Sequence, residues 1–195
     1  MATQTQAQTI VVEPYLQDAT PNSIRIMWET SSPFPPEEGE ESIVMWGTDE
    51  LLGNTTSGNS FSSVGVAMIH DVQLTGLERF TSYYYQVVTG NLTSEIQSFK
   101  TPPFASDEQS FRFVAMSDMQ KSSADPLKYD EVIHDGVLDY LEDNLTGVAS
   151  EDLALVLIPG DLVDYGNTYS QWADDFFQYS TDLFGKVPVY PVLGN

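Results

Sequence analysis

The hydrophobic rhythm of this chain changes across "KTPPFASDEQS" at 100–110, and that change limits the fold more than any other feature. Before it, residues 10–101 read as short strands: "TIVVEPYLQ" (9–17), "SIRIMWET" (23–30), "SIVMWGT" (42–48), "VGVAMIHDVQL" (64–74), "SYYYQVVTG" (82–90) and "SEIQSFKT" (94–101). In the second of these, Ile24, Ile26 and Trp28 alternate onto one face. The turn signals "ATPNS", "SSPFPPEEGEE", "GNTTSGNS" and "TGN" separate the runs, and the acidic, proline-rich "PFPPEEGEE" is expected as an exposed loop. Short strands spaced by turns, with no helical period, predict an all-β sandwich.

After the break the rhythm differs. "FRFVAMS" (111–117) reads as a strand. In "DPLKYDEVIHDGVLDYLEDNL" (125–145), Val132, Ile133, Val137, Tyr140 and Leu141 recur at helical spacing. "DLALVLIPG" (152–160) is a continuous apolar strand. "TYSQWADDFFQYSTDLFG" (168–185) predicts a second helix, with Trp172, Phe176, Phe177 and Leu183 on its apolar side and Gly185 as its stop. "VPVYPVL" (187–193) is a third strand. This β-α-β-α-β order predicts a parallel sheet covered by helices. Two prolines end the last sandwich strand, so the domain boundary is placed near Pro103, dividing 1–103 from 104–195.

The 29 acids outweigh 7 bases, for a formal net charge of -22. Such a balance repels nucleic acid and anionic membranes, so neither is expected as a partner. It suits a salt-rich or extracellular setting, and most of it reads as solvated surface. No cysteine is present, which excludes disulfides and thiolate metal sites. No apolar stretch approaches the ~18 residues a membrane span needs. The polar start before Ile10 resembles what remains after removal of an export signal, giving an expectation of a secreted or periplasmic protein.

In open α/β sheets, ligands sit beyond the carboxyl ends of the strands. Each of the three strands runs into oxygen-bearing side chains there: Asp118 and Gln120 after the first, Asp161 and Asp164 after the second, Asn195 after the third. Glycine before Asp161 and before Asn195 lets the backbone turn sharply as the side chain projects. Carboxylates and amide oxygens at one sheet edge are ligands for hard cations. The two histidines, His70 in a sandwich strand and His134 in a helix, read as structural or surface residues.

"FVAMSDMQ", "LVLIPGDLVDYG" and "VPVYPVLGN" resemble the first three signature blocks of the calcineurin-like metallophosphoesterases: Asp-x-His, Gly-Asp-x-x-Asp-x-Gly and Gly-Asn-His-Asp/Glu. "LERFTSY" (77–83) resembles the strand E to F corner of fibronectin type III domains, with Arg79 where a proline is usual. A fibronectin-like domain in front is similar to the arrangement in purple acid phosphatases. The resemblance implies a fibronectin III-like sandwich followed by the first β-α-β-α-β part of an α/β metallophosphoesterase fold. It implies a centre for two divalent or trivalent metal ions (Mn, Fe, Mg or Zn) that hydrolyses phosphate mono- or diesters, with a small phosphorylated substrate. Asp118 would bind the first metal and Asp161 would bridge both. Asn195 would bind the second metal and approach the phosphate as a catalytic group, and Asp164 would shape the loop.

This sequence departs from that pattern at three places. Gln120 stands where histidine is usual, and its harder amide oxygen should favour manganese, iron or magnesium over zinc. Asp164 stands where purple acid phosphatases carry a metal-binding tyrosine, with Tyr165 one further on. The third block reaches only Gly-Asn within these residues, so the chain by itself is expected to hold at most one ion, weakly, and to be inactive. For the same reason an apolar face of the 104–195 half is expected to stand uncovered. The competing reading is a non-catalytic fibronectin-like binding module on a degenerate α/β scaffold.

Overall fold

The alternation in "SIRIMWET" sends Ile24, Ile26 and Trp28 inward, where all three lose their whole surface to the core. The structure, a computed structural model, describes residues 8–31, 41–63, 67–192 and 194. Its first half comprises β1 (Ile10–Thr20), β2 (Ser23–Ser31), β3 (Ile43–Gly47), β4 (Asn54–Ser57), β5 (Asn59–Ser63), β6 (Ala67–Thr75), β7 (Ser82–Thr89), β8 (Leu92–Thr93) and β9 (Gln97–Lys100). One sheet runs β1-β2-β6-β5; the other runs β4-β3-β7-β8, with β9 also on β7. The pairings are antiparallel, as expected for a sandwich.

Between the sheets lie Leu16, Ile24, Ile26, Trp28, Val44, Leu74, Tyr85, Val87 and Phe99. The Trp28 indole N–H donates to Thr89 Oγ1 at 3.0 Å, so the ring is buried without an orphaned donor. The corner at 77–83 closes as its sequence suggests: Glu78 N–H donates to the Tyr83 hydroxyl oxygen at 2.8 Å, and Tyr83 is buried.

Two strands differ from expectation. "GNTTSGNS" reads as a turn, yet most of it belongs to β4 and to the start of β5. Both are outer strands of their sheets, flanked on one side by solvent. An edge strand can take its stability from one ladder and carry polar residues on both faces, so no apolar alternation betrays it. The acidic "PFPPEEGEE" loop lies almost wholly outside the described residues.

The second half contains β10 (Phe113–Ala115), β11 (Leu155–Ile158) and β12 (Val189–Pro191), parallel and in that order across the sheet. A helix, α1, runs through Lys128–Glu131, Val132–Leu138 and Asp139–Asn144, its middle segment wound as a π-helix. A single turn, α2, spans Ala149–Asp152. The third helix, α3, has a π segment Gln171–Phe177 that continues as α-helix through Gln178–Phe184. The π winding alters which residues face inward. Tyr140, expected on the apolar stripe of α1, is 58% exposed, because i→i+5 bonding upstream rotates the phase.

With crossovers of the usual right hand stepping the same way across the sheet, both long helices come to one face. There Ile133, Leu141, Phe176, Leu183 and Phe184 pack with Val156, Ile158 and Val189. Val12 and Tyr15 of β1 belong to this second core, while Leu16 next to them belongs to the first. The Tyr15 and Phe177 rings lie 4.8 Å apart. Polar ties join the halves as well: the Tyr85 hydroxyl donates to the Gly185 carbonyl at 2.7 Å, and the Tyr169 hydroxyl donates to Glu29 Oε2 at 2.7 Å.

The opposite face of the parallel sheet stands open, as the sequence predicts. Phe111, Phe113 and Leu157 are 65%, 52% and 38% exposed. Parallel sheets ordinarily have both faces covered, so this patch should drive self-association, opposed by the net charge of -22. Light scattering should show association that grows with salt, as repulsion is screened. Phe113→Lys combined with Leu157→Lys should return the monomer. A single monodisperse monomer at every salt concentration would mean that water tolerates this face.

Candidate metal centre

Three strand ends are stitched together where the apolar runs give out. Beyond β10, Met116 N–H donates to the Leu157 carbonyl at 3.1 Å, continuing the ladder past the strand. Beyond β12, Val192 N–H donates to the Ile158 carbonyl at 2.8 Å. Between them, Met119 and Gln120 N–H both donate to the Asp161 carbonyl, at 2.8 and 3.3 Å. That pair of bonds clamps the loop after β10 onto the loop after β11. It brings Asp118 and Gln120 to Asp161, although more than forty residues separate them in sequence.

The backbone at both aspartates is left-handed, with φ of 59° at Asp118 and 54° at Asp161. Few residues other than glycine adopt this conformation, although aspartate tolerates it better than most. Strain of this kind persists where surrounding structure enforces it, and it clusters at functional sites. Gly160, at φ 117°, makes the turn that precedes Asp161. The glycine of the third block has a different reason from the sharp turn expected of it. A methyl group on Gly194 would overlap the Asp161 carboxylate and amide nitrogen, so only glycine lets the end of the third strand lie against that side chain.

Asp118 is exposed and accepts a hydrogen bond from the Ser117 hydroxyl. Asp161 and Gln120 are half-buried. Gln120 Oε1 is itself buried and has no hydrogen-bond partner. A buried amide oxygen without a donor carries an unmet desolvation cost, which a cation would remove. The donor chemistry therefore fits a hard cation, with two carboxylates, one orphaned amide oxygen and no imidazole. Among the described residues, no group of three or more His, Cys, Asp or Glu side chains is arranged to hold a metal ion, so the shell is partial. Asp164 is exposed, three residues beyond Asp161, in a loop pinned to α3 by the bond from Tyr165 N–H to Gln171 Oε1 at 2.6 Å. Asn195 lies outside the described residues.

Neither histidine is near this edge. His70 is fully buried in the sandwich, bonded to Thr30 Oγ1 and Ser42 Oγ at 2.9 Å each. His134 lies on α1 between Asp130 at 2.8 Å and Asp182 at 3.3 Å. Lys121, next to Gln120, is bound to Asp175 of α3 at 2.9 Å and so does not neutralise Asp118. Nothing in the residue pattern singles out Lys121, Tyr129 and Tyr179, which line a cavity beside Gln120. Tyr129 lies four residues before the core residue Ile133 on α1, a spacing that could have marked it as inward-facing.

Two known families match stretches of this chain. Residues 12–101 match the family described as purple acid phosphatase, N-terminal domain, and residues 111–195 match calcineurin-like phosphoesterase. The comparison with curated proteins returned no match. Among solved structures, the one titled "Structure of PhoD" superposes on 100% of this chain with a TM-score of 0.67 and 18% identity. This chain spans 40% of the length of that one. At such identity the likeness establishes the fold. A human fibronectin type-III domain superposes on 56% of this chain at 18% identity, with a TM-score of 0.36, too low to establish a shared fold. No helix among the described residues is long and apolar enough to cross a membrane.

Proposed function

We propose that this chain, a purple acid phosphatase-type N-terminal domain followed by calcineurin-like phosphoesterase sequence, supplies one side of a metal-dependent phosphoesterase centre. The observation that carries the reading is the clamp of Met119 and Gln120 on the Asp161 carbonyl, which gathers Asp118, Asp161 and the orphaned Gln120 oxygen at one sheet edge. Asp118 and Gln120 would hold one ion, Asp161 would serve both ions, and Asn195 would serve the second ion and the substrate phosphate. Asp164 shapes the loop from outside. When bound, the ions polarise a phosphoryl oxygen and supply hydroxide near neutral pH. The whole protein hydrolyses a small phosphate mono- or diester. Its acidic composition supports a secreted or periplasmic setting.

With these donors alone, one manganese or magnesium ion would be held weakly. Manganese broadens the amide resonances of nearby residues, so a titration reads the site without needing activity. Broadening should centre on Asp118, Gln120 and Asp161. Asp161→Asn should weaken binding about tenfold through loss of a carboxylate charge, and Asp164→Asn by much less. Gln120→His should shift preference toward zinc. Broadening spread evenly over the acidic surface would overturn the assignment and favour the non-catalytic reading.

A further inference from the structure

A cavity of about 300 Å³ opens beside Gln120, between the loop after β10 and helices α1 and α3. Resting on the phosphoesterase reading above, we infer that this cavity seats the organic part of the phosphoester, a compact neutral aromatic alcohol. Its position follows from the chain: Asp118, Met119 and Gln120 form part of its wall, so a phosphate at the candidate centre would direct its ester group here.

The walls set the chemistry of the occupant. Met119, Val132, Tyr129 and Tyr179 give it an apolar and aromatic lining, with the Tyr129 and Tyr179 rings edge to face at 6.4 Å. Charge argues against a second phosphate. Lys121 is bound to Asp175 and Lys128 to Glu131, and Asp118 and Asp125 also border the space, so the surroundings are anionic on balance. Among the described residues, two buried side-chain polar atoms have no hydrogen-bond partner, Gln120 Oε1 and the Tyr129 hydroxyl, and both residues line this cavity. A metal ion would take the first. The second is shut off from the cavity, because Tyr129 is only 6% exposed and its hydroxyl lies against buried Ser180, so the rings of this wall rather than a hydroxyl meet the occupant. A compact neutral aromatic ring matches this wall.

The test is an amide-resonance titration of the metal-free chain with phenol, phenyl phosphate and inorganic phosphate. Phenol and phenyl phosphate should shift Met119–Ser122, Tyr129, Val132 and Tyr179, and inorganic phosphate should leave them in place. Tyr179→Ala should weaken phenol about fivefold by removing one aromatic wall. Val132→Trp should fill the space and abolish the shifts. Phosphate-induced shifts at these residues, absence of shifts with phenol, or phenol binding indifferent to Tyr179→Ala would overturn the inference. Manganese titration of the same sample separates the two readings. Loss of the metal response with phenol binding intact defeats the metal centre and leaves the cavity, and the converse defeats only the cavity.

Discussion

Acidification from neutral pH to about pH 4 should cost the fold about 3 kcal/mol through one side chain, His70. The ring is fully buried and stacked on Trp28 at 4.8 Å, with hydroxyls at both nitrogens. Burial pushes its pKa from 6.5 down to about 4. The folded state therefore resists a proton that the unfolded chain accepts. The stability is fully present above about 6.5 and drains away as pH falls from there to about 4, below which the loss is complete. Other groups pull the other way. Glu29, raised by burial against its bond from Tyr169, is relieved by protonation, and a falling net charge reduces self-repulsion. The comparison that isolates His70 is denaturant unfolding of the native chain and His70→Gln across this range. The variant should show a slope shallower by about 3 kcal/mol over the interval, whatever it loses at neutral pH. Parallel slopes would show that His70 is not the group responsible.

Truncation of the indole beneath His70 should be costlier still. Trp28→Ala removes a ring with no exposed surface, and such changes cost about 3–5 kcal/mol. It also leaves the Thr89 hydroxyl without its donor, which places the loss toward the upper end. Domains of this size are stable by about 5–15 kcal/mol, so the variant should melt far below the native chain. It should also carry the second half with it. β1 pairs with β2 beside Trp28 while giving Val12 and Tyr15 to the helical core, so loss of the sandwich uncovers both cores together. Calorimetry should show one transition, moved down as a unit. Two separated transitions would mean that β1 does not couple the halves.

The alternation around Trp28 and the corner at Tyr83 were legible because periodic burial writes itself into composition. β4 and β5 were not, because polar edge strands leave no such imprint. The helices were legible in existence but not in phase: hydrogen bonding to i+5 is a property of the folded helix, and Tyr140 moved outward with it. At the candidate centre, strand-end position alone pointed to Asp118, Gln120 and Asp161. Their left-handed backbone could not be foreseen, since glycine is its usual bearer and neither aspartate is one. The cavity was hidden for another reason: it is made by three segments that meet only in space.

The place of Gly194 against Asp161 has a consequence in time. The ribosome makes Asp161 well before the strand whose end lies over it, an interval of roughly two to seven seconds at synthesis rates of 5–20 residues per second. For that long the surroundings of the carboxylate are incomplete. The packing of Gly194 against Asp161 is therefore one of the later contacts the chain can form, after every residue of the clamp between Met119, Gln120 and Asp161 already exists.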